Sequence, residues 1–250
     1  MEKTYRFAGL FALIIGIGLL FRQISFFPYP EILTEKYFFD RGLLPYTQIN
    51  DQHFPGIFFL PFTTVYQLRL VHFGLFAFTA LLLFKLTKNL RWIIVYALFF
   101  LLWEGNTLWM DTFIAPLVLL AFWRLYTNKN IILTGLILGL VLLFKQHGIV
   151  VCLVGFLWIG SQKRKFKDLA LFILMGATPM ILAMIYLYYR GVFPDFWYWT
   201  VVHTLSSYTG LENKWPTLIE LIKLGLVLLP ATIGWLKFKQ SKIWMGLFVL

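Results

Sequence analysis

The chain has 250 residues, of which 60% are hydrophobic and 13% are charged, and its formal net charge is +11. Soluble domains typically hold about 45–50% apolar and about 25% charged residues. A chain of this length has too little interior to hide so much apolar surface, so the composition excludes an ordinary water-soluble protein. We therefore predict an integral membrane protein.

Apolar windows predict an all-α, polytopic membrane protein with about eight to nine transmembrane or re-entrant helices. We expect one transmembrane domain over residues 1–250. The windows cover 7–27, 66–84, 92–103, 112–126, 131–144, 149–160, 169–189 and 217–236, and a further one begins at 243. The last window has no far end, which predicts a sequence that is incomplete at its C-terminus. The single cysteine, Cys152, has no partner for an intrachain disulfide.

Charged residues are segregated between the two sides of the predicted bundle. With a cytoplasmic N-terminus, basic residues concentrate in the inner segments, as cytoplasmic loops require. These inner segments are 85–91, 124–129, 163–167 and 237–242. Acidic residues concentrate instead in the outer segments 28–65, 104–111 and 190–216. We expect a multi-pass protein of the cell membrane, and the basic loops explain the net charge without a nucleic-acid partner.

Two outer turns follow helices that are short for a membrane. The window 92–103 spans roughly 18 Å at 1.5 Å per residue, against a hydrocarbon core of about 30 Å. Polar backbone below the membrane surface is tolerated only against protein or a water-filled cavity. The turns "EGNTLWMD" and "KQHG" therefore predict a recess that opens outward. Its expected lining residues are Glu104, Asp111, Lys145 and His147.

Two other patterns have structural interpretations. The spacing of Gly135 and Gly139 in "GLILG" predicts close helix packing. The aromatic run "FWYW" at 196–199 either stacks on a sugar or anchors the chain at the membrane interface.

The outer segment 28–65 is long enough to be a functional loop. It contains "YPEILTEKYFFDRGLLPYTQINDQHFPGIFFL". Glu31 opens a predicted amphipathic helix, and the Gly and Pro of "RGLLPY" end it. Ile32, Tyr37 and Phe38 are expected on the apolar side of that helix. An extended polar strip follows, and "HFPG" returns the chain to the membrane.

This order resembles the first outer loop of the GT-C superfamily, which comprises polytopic glycosyltransferases that use polyprenyl-phosphate sugars. Protein O-mannosyltransferases and aminoarabinose transferases belong to it. Its loop holds an acidic residue, an amphipathic helix, G-x-x-P-Y, an Asp, and a basic residue with Pro-Pro or Pro-Gly. The matching residues are Glu31, Gly42, Pro45, Tyr46, Asp51, His53, Pro55 and Gly56.

Two later stretches resemble the same superfamily. "NTLWMDTFIAPLVLLAFW" is similar to its second outer loop, in which an acid precedes a helix with Ala-Pro; the acid here is Asp111. "GLILGLVLLFKQHG" is similar to the segment that ends beside the active site, and Lys145 follows its glycine-spaced helix. The resemblance covers roughly residues 25–150.

The resemblance implies an inverting glycosyltransferase that moves a sugar from a polyprenyl-phosphate donor to a hydroxyl of a glycan, lipid or protein acceptor. The reaction would take place on the extracytoplasmic side. It needs a general base for the acceptor proton, and positive charge, hydrogen-bond donors or a metal for the departing phosphate. We expect Glu31 and Asp111 to be catalytic. The expected donor-binding or substrate-binding residues are Asp51, His53, Lys145, Arg41, Arg190 and Tyr46.

No cofactor is required by these patterns. A carboxylate-bound divalent cation stays open, whereas the 4 histidines lack the spacing of a zinc site. The candidates also have structural interpretations. Glu31 can be a helix N-terminal charge, and Asp111 can be a helix cap. Asp51 and His53 can be plain loop residues, and Lys145 can extend to the membrane interface.

Two alternative functions compete with glycosyl transfer. A lipid or glycan transporter or flippase would also use an apolar bundle, and a non-catalytic membrane subunit would need no active site. Transport proteins usually place ionisable groups inside their helices. Here the acids lie in outer loops, so glycosyl transfer is the leading hypothesis.

Overall fold

The computed structural model describes residues 2–104, 106–127, 130–162, 166–209 and 217–218. The described chain is all-α and mostly helical. Its helices are α1 Glu2–Gln23, α2 Pro30–Asp40, α3 Val65–Thr87, α4 Leu90–Phe99, α5 Met110–Tyr126, α6 Ile131–Phe144, α7 Gly148–Ser161, α8 Phe166–Tyr189, α9 Phe193–Trp197 and α10 Thr204–Thr209. A 3₁₀ turn covers Pro55–Phe59, and π-helical turns cover Phe100–Glu104 and Tyr198–His203. Two short strands, β1 Phe27–Pro28 and β2 Thr107–Leu108, complete the set.

Two helices of the described chain are long and apolar enough to cross a membrane. They are α3, with 23 residues, and α8, with 24. Shorter apolar stretches lie at Phe7–Gln23, Leu90–Leu102, Ile131–Phe144 and Gly148–Gly160. Every predicted window up to residue 189 coincides with observed helix, except that α1 ends at Gln23 whereas the first window runs to residue 27. The predicted number of spans is not confirmed. The windows at 217–236, beyond its first two residues, and from 243 lie outside the described residues.

Helices α6 and α8 pack backbone against backbone. A Cβ atom added to Gly139 would lie 2.2 Å from the carbonyl oxygen of Gly176, and one added to Gly135 would lie 2.5 Å from that of Phe172. Neither distance leaves room for a side chain. This confirms the close packing that the glycine spacing predicts, and it fixes the helix that leads to Lys145.

The outer segment 28–65 folds onto the helices as an ordered layer. Buried residues of this segment share one apolar cluster with β2, α3, α5, α8 and α9. The largest members from the segment are Ile32, Tyr46, Ile57 and Phe58. Thr47 donates a hydrogen bond of 2.7 Å to Asp195, just beyond α8. The two long segments that are predicted to be outer therefore contact each other.

Helix α2 forms where predicted, but its amphipathic character is not confirmed. Ile32 is buried as expected, whereas Tyr37 and Phe38 are 52% and 39% exposed. Its buried residues also include Glu35 and Lys36. The buried side of α2 thus holds a carboxyl group, whereas two of its three predicted apolar residues are exposed.

Strands β1 and β2 join two distant parts of the chain. They pair in parallel, with Pro28 opposite Leu108. Each strand leads almost directly into a helix, β1 into α2 and β2 into α5. The rings of Tyr29 and Trp109, which stand between strand and helix, stack with centroids 4.5 Å apart. Because the strands run in the same direction, the N-termini of α2 and α5 lie side by side.

Candidate functional site

Glu31 and Asp111 occupy equivalent positions in α2 and α5. Each is the second residue of its helix, and each follows the paired residues Pro28 and Leu108 by three positions. The strand pairing therefore sets side by side the helix starts that carry these two acids. Both lie in the first turn of a helix, where the macrodipole favours negative charge.

Asp111 forms an ion pair with Lys145, the cation that the sequence predicts for the same recess. The ammonium group of Lys145 donates to both carboxylate oxygens of Asp111 at 2.8 Å. The Asp111 side chain is 60% exposed and that of Lys145 is 25% exposed. An ion pair this exposed adds little stability. The ion pair instead determines the position of the Lys145 ammonium group, which it holds at the start of α5.

The loop that carries His53 packs against the end of α6 at Gly56. A Cβ atom on Gly56 would lie 2.8 Å from the carbonyl oxygen of Leu143, so a side chain there would push the loop away. The side-chain amide of Gln146 also donates to the backbone carbonyl of Gln52. These contacts set the loop beside Lys145, the residue that ends α6.

Asp51 and His53 form a hydrogen-bonded pair in this loop. The Oδ1 atom of Asp51 lies 2.7 Å from Nδ1 of His53 and accepts the backbone N–H of His53 at 3.0 Å. Their side chains are 3% and 18% exposed. The hydrogen bond to Asp51 raises the pKa of His53, against the opposing effects of burial and of Lys145. With Nδ1 engaged, Nε2 is the ring nitrogen left for a ligand.

A fourth carboxyl group, that of Glu35, lies near this pair. Glu35 is 5% exposed, and its Oε2 atom, like Oδ2 of Asp51, is buried without a hydrogen-bond donor among the described residues. Burial, followed by the charge of Asp51, raises the pKa of Glu35 to about 10. This favours the protonated form of Glu35 at neutral pH, which can donate to Asp51. Without that proton two buried carboxylates would repel each other.

Glu31 has an acceptor atom that the described residues leave unused. Its Oε2 atom is buried and receives no hydrogen bond from the described residues. Burial, together with the hydrogen bond of the Tyr29 hydroxyl to Glu31, raises the pKa of Tyr29. A buried carboxylate oxygen without a donor is costly. A substrate hydroxyl that donates to Glu31 would remove this cost.

Tyr46 and Arg41 occupy other surroundings. Tyr46 is 1% exposed, and its hydroxyl donates to the backbone carbonyl of His53 at 3.0 Å. This hydrogen bond favours a structural role for Tyr46, which is to hold the loop in place. Burial raises the pKa of Tyr46 well above the ordinary value. The guanidinium of Arg41 lies 3.5 Å from the ring centroid of Tyr37, at the far end of α2. Ten residues of helix put Arg41 about 15 Å from Glu31.

Two further predicted residues, Arg190 and His147, do not join the cluster in the described part of the chain. Arg190 follows α8 with an exposed side chain, and no hydrogen bond or ion pair connects it to the acids there. His147 is exposed at the start of α7. Glu104 ends a π-helical turn, and its side chain lies outside the description.

Glu35 is the site residue that sequence reasoning missed. It follows Glu31 by four residues, and this spacing puts both side chains on one face of a helix. That spacing was the available signal, but in the sequence it looks like an ordinary solvated face. Among the described residues, no group of three or more His, Cys, Asp and Glu side chains is arranged to hold a metal ion.

Comparisons of the chain with protein-family models, with curated proteins and with solved structures give no match. The residues and their geometry are therefore the basis on which a function can be assigned to the chain.

Proposed function

We propose that this chain is a multi-pass membrane glycosyltransferase of the GT-C kind, with a cytoplasmic N-terminus and an extracytoplasmic site. It transfers a sugar, with inversion, from a polyprenyl-phosphate donor to a hydroxyl of a glycan, lipid or protein acceptor. The parallel pairing of β1 with β2 carries this proposal, because it sets side by side the helix starts that carry Glu31 and Asp111. Lys145 and His53 complete a group of acids and cations at one end of the helices.

The two acids have different surroundings, which support different roles. Both oxygens of Asp111 are engaged by Lys145, whereas Oε2 of Glu31 has no donor among the described residues. Glu31 is therefore the better candidate for the general base that takes the acceptor proton. Asp111 positions Lys145 and the acceptor.

Lys145 and His53 provide positive charge for the departing phosphate. Donor phosphate would compete with Asp111 for the ammonium of Lys145, because each is an anion that accepts its hydrogen bonds. Binding of the donor would thus release Asp111 from its ion pair as the reaction begins.

Apolar surface supports the membrane location. Only 33% and 22% of the apolar windows of α3 and α8 are buried inside the protein. Leu174 and Leu182 on α8, for example, are 58% and 61% exposed. Contiguous apolar surface of this kind is unfavourable in water and normal against lipid.

A cavity next to the acids supports a lipid-linked donor. It has a volume of about 270 Å³ and lies between α3, α4 and α5. Its lining includes Leu75, Tyr96, Phe100, Thr112 and Pro116. Because Thr112 follows Asp111 directly, an apolar chain in this cavity would hold its phosphate near Lys145.

The test is a transfer assay on the protein in lipid nanodiscs. A panel of polyprenyl-phosphate donors with radiolabelled sugars is offered together with lipid, glycan and peptide acceptors. We expect label to move from at least one donor to an acceptor in the wild type. Label that crosses a vesicle membrane while still attached to its lipid would instead favour the flippase alternative.

A further inference from the structure

Glu35, Asp51 and His53 form a chain of three polar groups that links helix α2 to the loop before the 3₁₀ turn. Glu35 lies on α2, and Asp51 and His53 lie in the loop before the 3₁₀ turn. Oε2 of Glu35 and Oδ2 of Asp51 are both buried, and neither receives a hydrogen bond from a donor group of the described residues. A proton held between the two carboxyls gives both groups a partner at once. The other oxygen of Asp51 faces Nδ1 of His53 at 2.7 Å.

We propose that His53 is the group that protonates the departing phosphate, and that Glu35 and Asp51 are the residues that position and charge it. This inference rests on the proposed function. It adds a general acid to the reaction and assigns a task to Glu35, which no sequence pattern singled out.

The surroundings favour a protonated imidazole at His53. Asp51 contributes a hydrogen bond and negative charge, and Glu31 contributes negative charge from α2. Lys145, at the end of α6, opposes this effect, but its ammonium is paired with Asp111 of α5. The Tyr46 hydroxyl donates to the backbone carbonyl of His53 and leaves the ring free.

Glu35 keeps Asp51 available as an acceptor for His53. A buried carboxylate without enough donors would take up a proton itself, and it would then lose its hold on the imidazole. The proton on Glu35 provides such a donor to the oxygen of Asp51 that does not face the His53 imidazole. The arrangement follows the general rule that a base is oriented by a third group.

The reaction balances with these groups. The bond between the anomeric carbon and the phosphate oxygen breaks, and its electron pair stays on the phosphate, which receives the proton from Nε2 of His53. The acceptor oxygen forms the new bond to the anomeric carbon, and its proton passes to Glu31. Water then takes the proton from Glu31 and returns one to His53. In sum, one proton moves from the acceptor hydroxyl to the polyprenyl phosphate product.

The first test reads the protonation of His53 without any enzyme assay. The full chain is labelled with ¹⁵N-histidine in nanodiscs, and the His53 signal is identified by its loss in His53→Gln. In the wild type we expect the imidazolium to persist at a pH above the ordinary histidine pKa of about 6.5. Titration of His53 at or below that value in the wild type would overturn the proposal, whether or not any variant folds.

Two variants test the roles of the acids. Asp51→Asn should lower the titration midpoint of His53 by about 1 pH unit or more, because it removes the adjacent negative charge. Glu35→Leu should lower the midpoint in the same direction but by less, because Asp51 takes up a proton more readily once the donor on Glu35 is removed. The absence of a shift in Asp51→Asn or in Glu35→Leu would contradict the assignment. The signals of His147 and His203 should stay in place in both variants.

Transfer assays provide the second test. The wild-type rate should fall as pH rises through the His53 midpoint measured by NMR, and Asp51→Asn should move that fall to lower pH. Glu35→Leu should move it in the same direction by a smaller amount. If the expected titrations are found but no donor is turned over, the proposed function fails while the hydrogen-bonded chain stands. If sugar transfer occurs but its rate does not change with pH around the His53 midpoint, only the general-acid role of His53 is refuted and the proposed function stands.

Discussion

At the scale of single residues, the structure distinguishes between cations that the sequence treats alike. Lys145 lies against Asp111, whereas Arg41 stacks on Tyr37 at the other end of α2. Lys145→Met keeps the length of the side chain and removes its charge. We expect donor binding to weaken about 10–100-fold, the cost of a charged hydrogen bond.

The control for Lys145 is Arg41→Gln, which should leave donor affinity unchanged. Binding of a labelled polyprenyl phosphate to nanodiscs measures both variants. Folding should be unaffected in each, since the ion pair and the cation–π contact are exposed. Equal affinity in Lys145→Met and the wild type would make Lys145 an interfacial anchor.

His72 is a buried histidine that lies among aromatic rings. It is 0% exposed, and its ring lies 4.9 Å from that of Phe21 and 4.8 Å from that of Phe100. Neither of its ring nitrogens finds a hydrogen bond among the described residues. His72→Phe should therefore stabilise the protein by about 1–3 kcal/mol, the usual cost of an unsatisfied buried group.

Thermal unfolding in one detergent measures this gain, with the exposed His147→Phe as the control. A lower melting temperature for His72→Phe would show that the imidazole makes a stabilising hydrogen bond.

At the scale of elements, the contact of α6 with α8 sets the position of the site. Gly139→Ala would place a methyl group 2.2 Å from the backbone oxygen of Gly176 and force the helices apart. We expect a loss of about 1–3 kcal/mol, as for other overpacked cores. Gly74→Ala is the matched control, because a Cβ atom there meets nothing within 4 Å. If both variants melt at the same temperature, close packing of α6 on α8 does not stabilise the fold.

Most of the described helices could be predicted from apolar windows, because a long apolar run has few other solutions in a membrane protein. The pairing of β1 with β2 could not be predicted. Each strand has two residues, and the two lie about eighty residues apart, so no periodicity exists to detect. The prediction that Glu31 and Asp111 act together had no structural basis until that pairing was seen.

In the candidate site, too, some contacts could be predicted from the sequence and others could not. Asp111 and Lys145 were predicted for one recess from the short helices, and the structure joins them as an ion pair. The contact of Glu35 with Asp51 depends on how the loop folds back onto α2, which local sequence does not specify. The amphipathic pattern even favoured Tyr37 and Phe38 as buried residues, yet both are exposed.

At the scale of the whole molecule, the charge segregation predicts which segments face outward. Thr47 and Asp195 touch, so 28–65 and the start of 190–216 belong on the same side. Cysteine introduced at the exposed Gln48 should react with an impermeant reagent in intact cells, and cysteine at the exposed Gln162 should not. Cys152→Ala first removes the only native thiol. Labelling at Gln162 alone would invert the topology and exclude an extracytoplasmic site.

The central claim is that the carboxylate of Glu31 takes the acceptor proton during sugar transfer. Glu31→Gln removes the charge with little change of size, and Asp40→Asn removes an acid from the other end of α2.

The most direct measurement is the single-turnover transfer rate of these two variants beside the wild type in nanodiscs. We expect Glu31→Gln to fold normally and to lose about 10²–10⁴-fold in rate, as for a well-placed general base, while Asp40→Asn keeps the wild-type rate. A fully active Glu31→Gln protein would contradict the account.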